Sequence, residues 1–93
     1  MYERMLRRLC EKIRTRQYVM TLHAVDEMED DGLTIFDVEK TILSGKIVER
    51  QKDNVTGEWK YLIKSQAIID LEIVVVTKLS PTGRLGIITV YVE

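Results

Sequence analysis

The stretch IIDLEIVVVTKLSPTGRLGIITVYV, residues 68–92, decides the fold. Two β-branched apolar runs flank Ser80-Pro81-Thr82-Gly83, a turn cluster, so the segment predicts a hairpin of strands Ile68 to Leu79 and Arg84 to Val92. Along the first run Ile69, Leu71, Ile73 and Val75 share one face, while the other begins with Asp70 and Glu72 and turns apolar at Val74 and Val76. In the second run Leu85 and Ile87 fall on one side, and Ile88, Val90 and Val92 on the other. A sheet with one solvated face alternates more cleanly than this. The expectation is therefore a cover over the second face: the N-terminal helix, a second copy of the chain, or a partner protein.

Upstream of this hairpin, Lys46 to Lys52 and Glu58 to Lys64 read as two more strands around the turn cluster Asp53 to Gly57, with Trp59, Tyr61 and Ile63 on one face. A soft connection at Ser65 to Ala67 leads into the hairpin. Before Gly45 the apolar period is helical. Leu6, Leu9, Cys10 and Ile13 form a stripe on a helix from Glu3 to about Thr15, and a short extended piece, Tyr18 to Met20, follows. Thr21 can cap a second helix with Leu22, Val25 and Met28 inward and Gly32 as its left-handed end. Thr34 and Asp37 form a capping box for a third helix, Ile35 to Ser44, with Leu33 placed to staple Val38. The predicted architecture is α+β: three N-terminal helices packed on a four-stranded antiparallel sheet.

With 93 residues the chain has room for one domain, residues 1–93, made of a basic first helix (1–17) and an α+β core (18–93). At 45% hydrophobic and 31% charged it is neither a disordered nor a disulfide-scaffold sequence. No apolar run is long enough to span a bilayer, and the N-terminus has no signal-peptide pattern. The lone Cys10 forms no internal disulfide, which points to a cytoplasmic protein. The net charge of −1 conceals blocks. Residues 1–20 carry six basic residues against two acids, and residues 21–45 carry seven acids against Lys40 alone. The basic block suits nucleic acid, or else it lies beside the acidic block within the fold.

The strong catalytic signatures are missing: no phosphate-binding Gly loop, nucleophile elbow or His-Glu-x-x-His motif, and no cofactor is expected. The only His, His23, opens the second helix, where it is a candidate general base or a helix-start residue bonded to backbone or to Asp26 or Glu27. Asp26, Glu27, Asp30 and Asp31 read as a solvated face rather than a metal site, and Cys10 as core. Arg50, Lys52, Lys60, Lys64 and Arg84 interleave with Trp59, Tyr61 and Tyr91 on the strands. That is the pattern of an RNA surface and also of edge strands protected by Lys.

The segment from Tyr18 onward resembles the domain of unknown function 4258 family. The resemblance rests on Val19-Met20-Thr21-Leu22-His23-Ala24, Met28 with Gly32-Leu33, Asp37-Val38 leading to Gly45-Lys46-Ile47-Val48-Glu49, Ile73 to Val76, and Ile87-Ile88-Thr89-Val90-Tyr91. Such domains are compared with RelE/ParE-like toxins, small α+β proteins that cleave messenger RNA or poison gyrase and pair with an antitoxin. The resemblance thus implies His23 and Tyr91 as polar site residues; Arg84 joins them as a nearby cation. The family pattern His-Ala-x-x-Arg-Met, with a second Arg before the Gly, is departed from at Glu27 and Asp31. Two anions in place of two cations repel a phosphate backbone, which moves the expectation from cleavage toward association.

Three functions are therefore carried forward. The first is a toxin-like domain acting through protein association, as a homo-oligomer or with an antitoxin-like partner. The second is a ribosome-dependent endoribonuclease in which His23 and Tyr91 activate the 2'-hydroxyl and Arg84 stabilises the phosphorane. The third is a binding module for a small anionic ligand.

Overall fold

The computed structural model describes residues 1–68 and 71–93. Its elements run α1 (Glu3–Arg14), β1 (Tyr18–Met20), α2 (Leu22–Asp30), α3 (Ile35–Ser44), β2 (Lys46–Lys52), β3 (Trp59–Ile68), β4 (Leu71–Leu79) and β5 (Leu85–Val92). The α+β class is as expected, but the sheet has five strands, not four, in the order β1-β5-β4-β3-β2, and it is mixed. The additional strand is the short extended piece Tyr18–Met20. It pairs parallel with Leu85–Ile87 of β5, whereas β2 through β5 pair antiparallel. Three residues show no periodicity of their own, and it is the free edge of β5 that makes them a strand.

Local chemistry sets the helices. α1 starts at Glu3 and ends with Lys12 and Arg14 in its last turn, signs that suit the helix dipole, and it buries Leu9, Cys10 and Ile13. The capping box of α3 is present, with the Asp37 N–H donating to Thr34 Oγ1 at 3.3 Å and the Thr34 N–H donating to Asp37 Oδ2 at 2.8 Å. α3 is followed by Gly45, where the chain is already extended and no side chain fits. A Cβ there would sit 2.5 Å from the Thr41 carbonyl oxygen and 2.7 Å from that of Lys64.

α2 departs from its expected inward face. Leu22 is 84% exposed, and the buried residue is Ala24, with Met28 packed against the core. The reason lies at Thr21, whose N–H donates to the Ile87 carbonyl and whose hydroxyl donates to that of Ile88, each at 3.0 Å. Tied to β5 at that point, the helix is rotated so that Glu27 also faces the strand, and its Oε1 accepts the Val90 N–H at 3.2 Å. Gly32 ends the helix at φ +69°, as the sequence predicts.

All three helices pack on one face of the sheet. Leu9, Ile13, Ala24, Val38 and Ile42 share a core with Tyr61, Ile63, Ile73, Val75, Leu85, Ile87 and Val90. α1 therefore does not cover the second face. Part of that face's apparent hydrophobicity is a register effect. The pairing steps from Val76 with Thr89 to Thr77 with Ile87, so Ile88 is the extra residue of a bulge, and Val90 and Val92 return to the helix side. Leu62, Val74, Val76 and Ile88 remain on the open face. Val74 is nonetheless only 2% exposed, flanked by its cross-strand neighbours Lys64 and Tyr91, whose long side chains can lie over it. β3 runs on through the expected connection at Ser65 to Ala67, with an irregular register between Ser65 and Ile68. Ile69 and Asp70, expected on opposite faces of the third strand, lie outside the described residues.

Two side chains join the layers. The Tyr18 hydroxyl donates to Glu39 on α3, and burial, reinforced by this bond, pushes the phenol up to about 12. Because the fold favours the neutral phenol, its contribution is complete below pH 10 and is lost as pH rises through the folded value. Tyr18→Phe is expected to cost about 1 kcal/mol at neutral pH in urea melts. That difference should vanish between about pH 10 and 12, and one of the four tyrosines should ionise late by absorbance. Glu27→Ala leaves the Val90 N–H unpaired and is expected to cost about 1–2 kcal/mol, with fast amide exchange at Val90, while Glu27→Gln retains protection.

Candidate functional site

The open sheet face is concave at the end where the two hairpin turns lie. The groove there has a volume of about 610 Å³, within the range of ligand and peptide sites. β1 and the start of α2 supply Val19 and Thr21, the first hairpin Asp53, Glu58 and Lys60, and the second Lys78, Arg84 and Ile88, with Ser80, Pro81 and Thr82 at the turn. Both turns are built by local side-chain bonding. Asp53 Oδ1 accepts the Val55 and Thr56 N–H groups at 2.8 and 3.2 Å, and the Ser80 and Thr82 hydroxyls meet at 2.8 Å.

The register puts Lys60 directly opposite Lys78, an arrangement that is unfavourable for two cations alone. Asp53 lies 3.8 Å from both ammonium groups, and Glu58 lies 2.9 Å from Lys78. The Val55 and Thr56 amides, chiefly, and the two lysines hold the Asp53 carboxyl below the usual range. Glu58 is lowered mainly by its bond from Lys78, and Lys78 is raised mainly by the same bond. A second cluster marks the far end of the face, where Lys64 lies 3.1 Å from Glu72 and 2.8 Å from Glu93. Arg84 is the groove cation that makes no ion pair among the described residues.

The three sequence candidates fall in different places. Arg84 lines the groove. Tyr91 is opposite Val74, seven residues further along the same strand, which at about 3.3 Å per residue separates the two by roughly 20 Å. His23 is largely exposed on α2, with Nε2 3.2 Å from Glu27 Oε1, and does not line the groove. Asp53, Glu58 and the Ser80-Thr82 pair went unrecognised as site residues. Their signal in the sequence is one turn acid cluster and one hydroxyl cluster at the same end of two successive hairpins.

Chemically, the groove is equipped for recognition. It holds three cations, two carboxylates and three hydroxyls around an apolar floor of Val19 and Ile88, with no imidazole or thiol among its lining residues. Cys10 is remote from it. Its Sγ donates to the Ile42 carbonyl at 3.4 Å, and burial pushes the thiol up, which marks it as core. Among the described residues no three His, Cys, Asp or Glu side chains converge on a metal position, and no helix is long and apolar enough to cross a membrane.

No curated protein and no solved structure matched the chain, and the wider likeness to RelE/ParE-like toxins finds no support in these comparisons. The family comparison does match. α1 lies ahead of the matched segment, which begins within β1 and takes in the rest of the fold. The model of the domain of unknown function DUF4258 covers residues 20–92, well over half of the sequence, and the chain belongs to that family.

Proposed function

We propose that this domain works by protein association, and that the groove on the open sheet face seats a second copy of the chain. The observation that carries this reading is the apolar lip beside the groove. Val19 is 48% exposed and Leu22 84% exposed, next to the half-buried Ile88. Charge supports a second copy as the occupant. Arg84 is unpaired in the groove, and Asp26, Glu29 and Asp30 of α2, with Asp31 just after it, make no ion pair among the described residues. A two-fold arrangement lets each copy offer its α2 acids to the other's Arg84 while the two lips bury one another.

Sedimentation velocity over a concentration series is the direct test. The expected result is a monomer–dimer equilibrium that weakens as salt approaches about 1 M, where screening is strong. Leu22→Asp and Arg84→Glu should each shift it to monomer with the fold intact by circular dichroism. A single monomer-sized species at every concentration would falsify the self-association reading.

The endoribonuclease reading needs His23, Tyr91 and Arg84 on one phosphate, yet Arg84 and Tyr91 stand at opposite ends of β5. The small-anion reading draws its support from the unpaired Arg84. For the toxin reading, induced expression in bacteria separates the outcomes. We expect no growth arrest, and arrest relieved by His23→Ala or Tyr91→Phe would replace association with catalysis.

A further inference from the structure

On the other side of the sheet, at the β2 edge, the first turns of α1 meet β2 and β3 around a hollow of about 240 Å³. We infer that this hollow is a binding site for single-stranded nucleic acid, held by stacking and phosphate pairing and separate from the groove of the open face.

The argument starts from register. Arg50 is opposite Tyr61, and Lys52 is opposite Trp59, so cation and aromatic ring alternate on a rigid two-strand ladder. The Arg50 guanidinium lies 4.0 Å from the centroid of the Trp59 ring and 6.0 Å from that of Tyr2, and Lys52 Nζ lies 5.8 Å from Trp59. α1 adds Arg4 and Arg8, which line the hollow with Tyr2, Met5, Arg50 and Tyr61. No carboxylate lines it, and none of Arg4, Arg8, Arg50 or Lys52 makes an ion pair among the described residues. Arg50 and Lys52 have aromatic partners, and among the described residues none of the four cations has an anionic one. The anion they lack is one that also presents a flat ring.

That combination selects the ligand class. An acidic peptide needs the cations but gives the rings nothing to do, whereas a nucleotide strand offers phosphates to the arginines and bases to Trp59 and Tyr2. A membrane surface needs a free apolar helix face, and that of α1 is spent on the core through Leu9, Cys10 and Ile13. The hollow is smaller than the roughly 300 Å³ at which pockets begin to enclose a small molecule, so it fits a strand lying across it. The α1 half of the site lies outside the segment matched to the family.

Trp59, the chain's only tryptophan, stands beside the hollow against Arg50, which lines it, so its fluorescence reports on events there. Titration of the full chain with a short oligouridylate is expected to quench Trp59 saturably at low salt, with a log–log salt slope of roughly −3 for four phosphate-facing cations. The pair Arg8→Ala with Arg50→Ala should weaken binding by about tenfold or more. By anisotropy, Trp59→Phe should bind and Trp59→Ala should not, and Lys40→Ala, an exposed cation of α3 that lines neither the groove nor the hollow, should change nothing. Circular dichroism confirms that each variant is folded. Absence of saturable quenching overturns the proposal, as does equal binding by polyglutamate, which makes the site one for acidic polypeptides.

Discussion

Everything in this molecule depends on a parallel pairing only three residues long. β1 joins the N-terminal part of the chain to its C-terminal hairpin, through the Leu85 N–H donating to the Gln17 carbonyl and the Thr21 N–H donating to that of Ile87, both at 3.0 Å. This contact closes one side of β5, brings α1 and α2 to the same face of the sheet, and fixes where α2 begins. The rest of the β5 edge, beyond the reach of β1, is served by Glu27, which satisfies Val90 from the helix. The resemblance drawn from the sequence leads one to expect a basic residue at that position. A cation there has no acceptor to offer the strand, so the acid at residue 27 has a structural use that its charge alone does not reveal.

The same pairing explains how much could be read from the residues. α3 was legible at both ends because its start is written in a local box, Thr34 with Asp37, and its stop in a glycine that a neighbouring strand crowds. The final hairpin was legible because its turn cluster and β-branched runs are local signals as well. β1 was legible as an extended piece with the right bounds but not as a member of the sheet, since its partner lies some 67 residues away and no local pattern encodes the pairing. The α2 face was misassigned for the same cause. Hydrophobicity alone favours Leu22 inward, whereas the rotation of the helix is set by Thr21 bonding to β5.

The site was legible in part. Arg84 was singled out and does line the groove, but Asp53 and Glu58 were read only as turn and strand-end residues. Their chemistry depends on Lys60 and Lys78 being cross-strand neighbours, and register is invisible until strands are paired. The bulge at Ile88 had the opposite effect. By shifting the face of Val90 and Val92, it made an ordinary core strand look apolar on both sides, and so exaggerated the surface that needed a cover.

The two charge blocks do not neutralise each other inside the fold, since no ion pair among the described residues joins α1 to α2. The cations of the first turns of α1 gather with Arg50 at the β2 edge, and the acids of α2 ride on β5, three strand spacings or roughly 14 Å across the sheet. A body 33 Å long with almost no net charge therefore has a large electric moment. Near a polyanion the field exerts a torque before there is any contact, turning the α1 side inward and the α2 side toward bulk solvent. At physiological salt the turning happens only within the last 8 Å or so of approach. The angle at which this protein first touches such a surface is thus biased by its charge layout, even though its overall charge would leave it indifferent to the encounter.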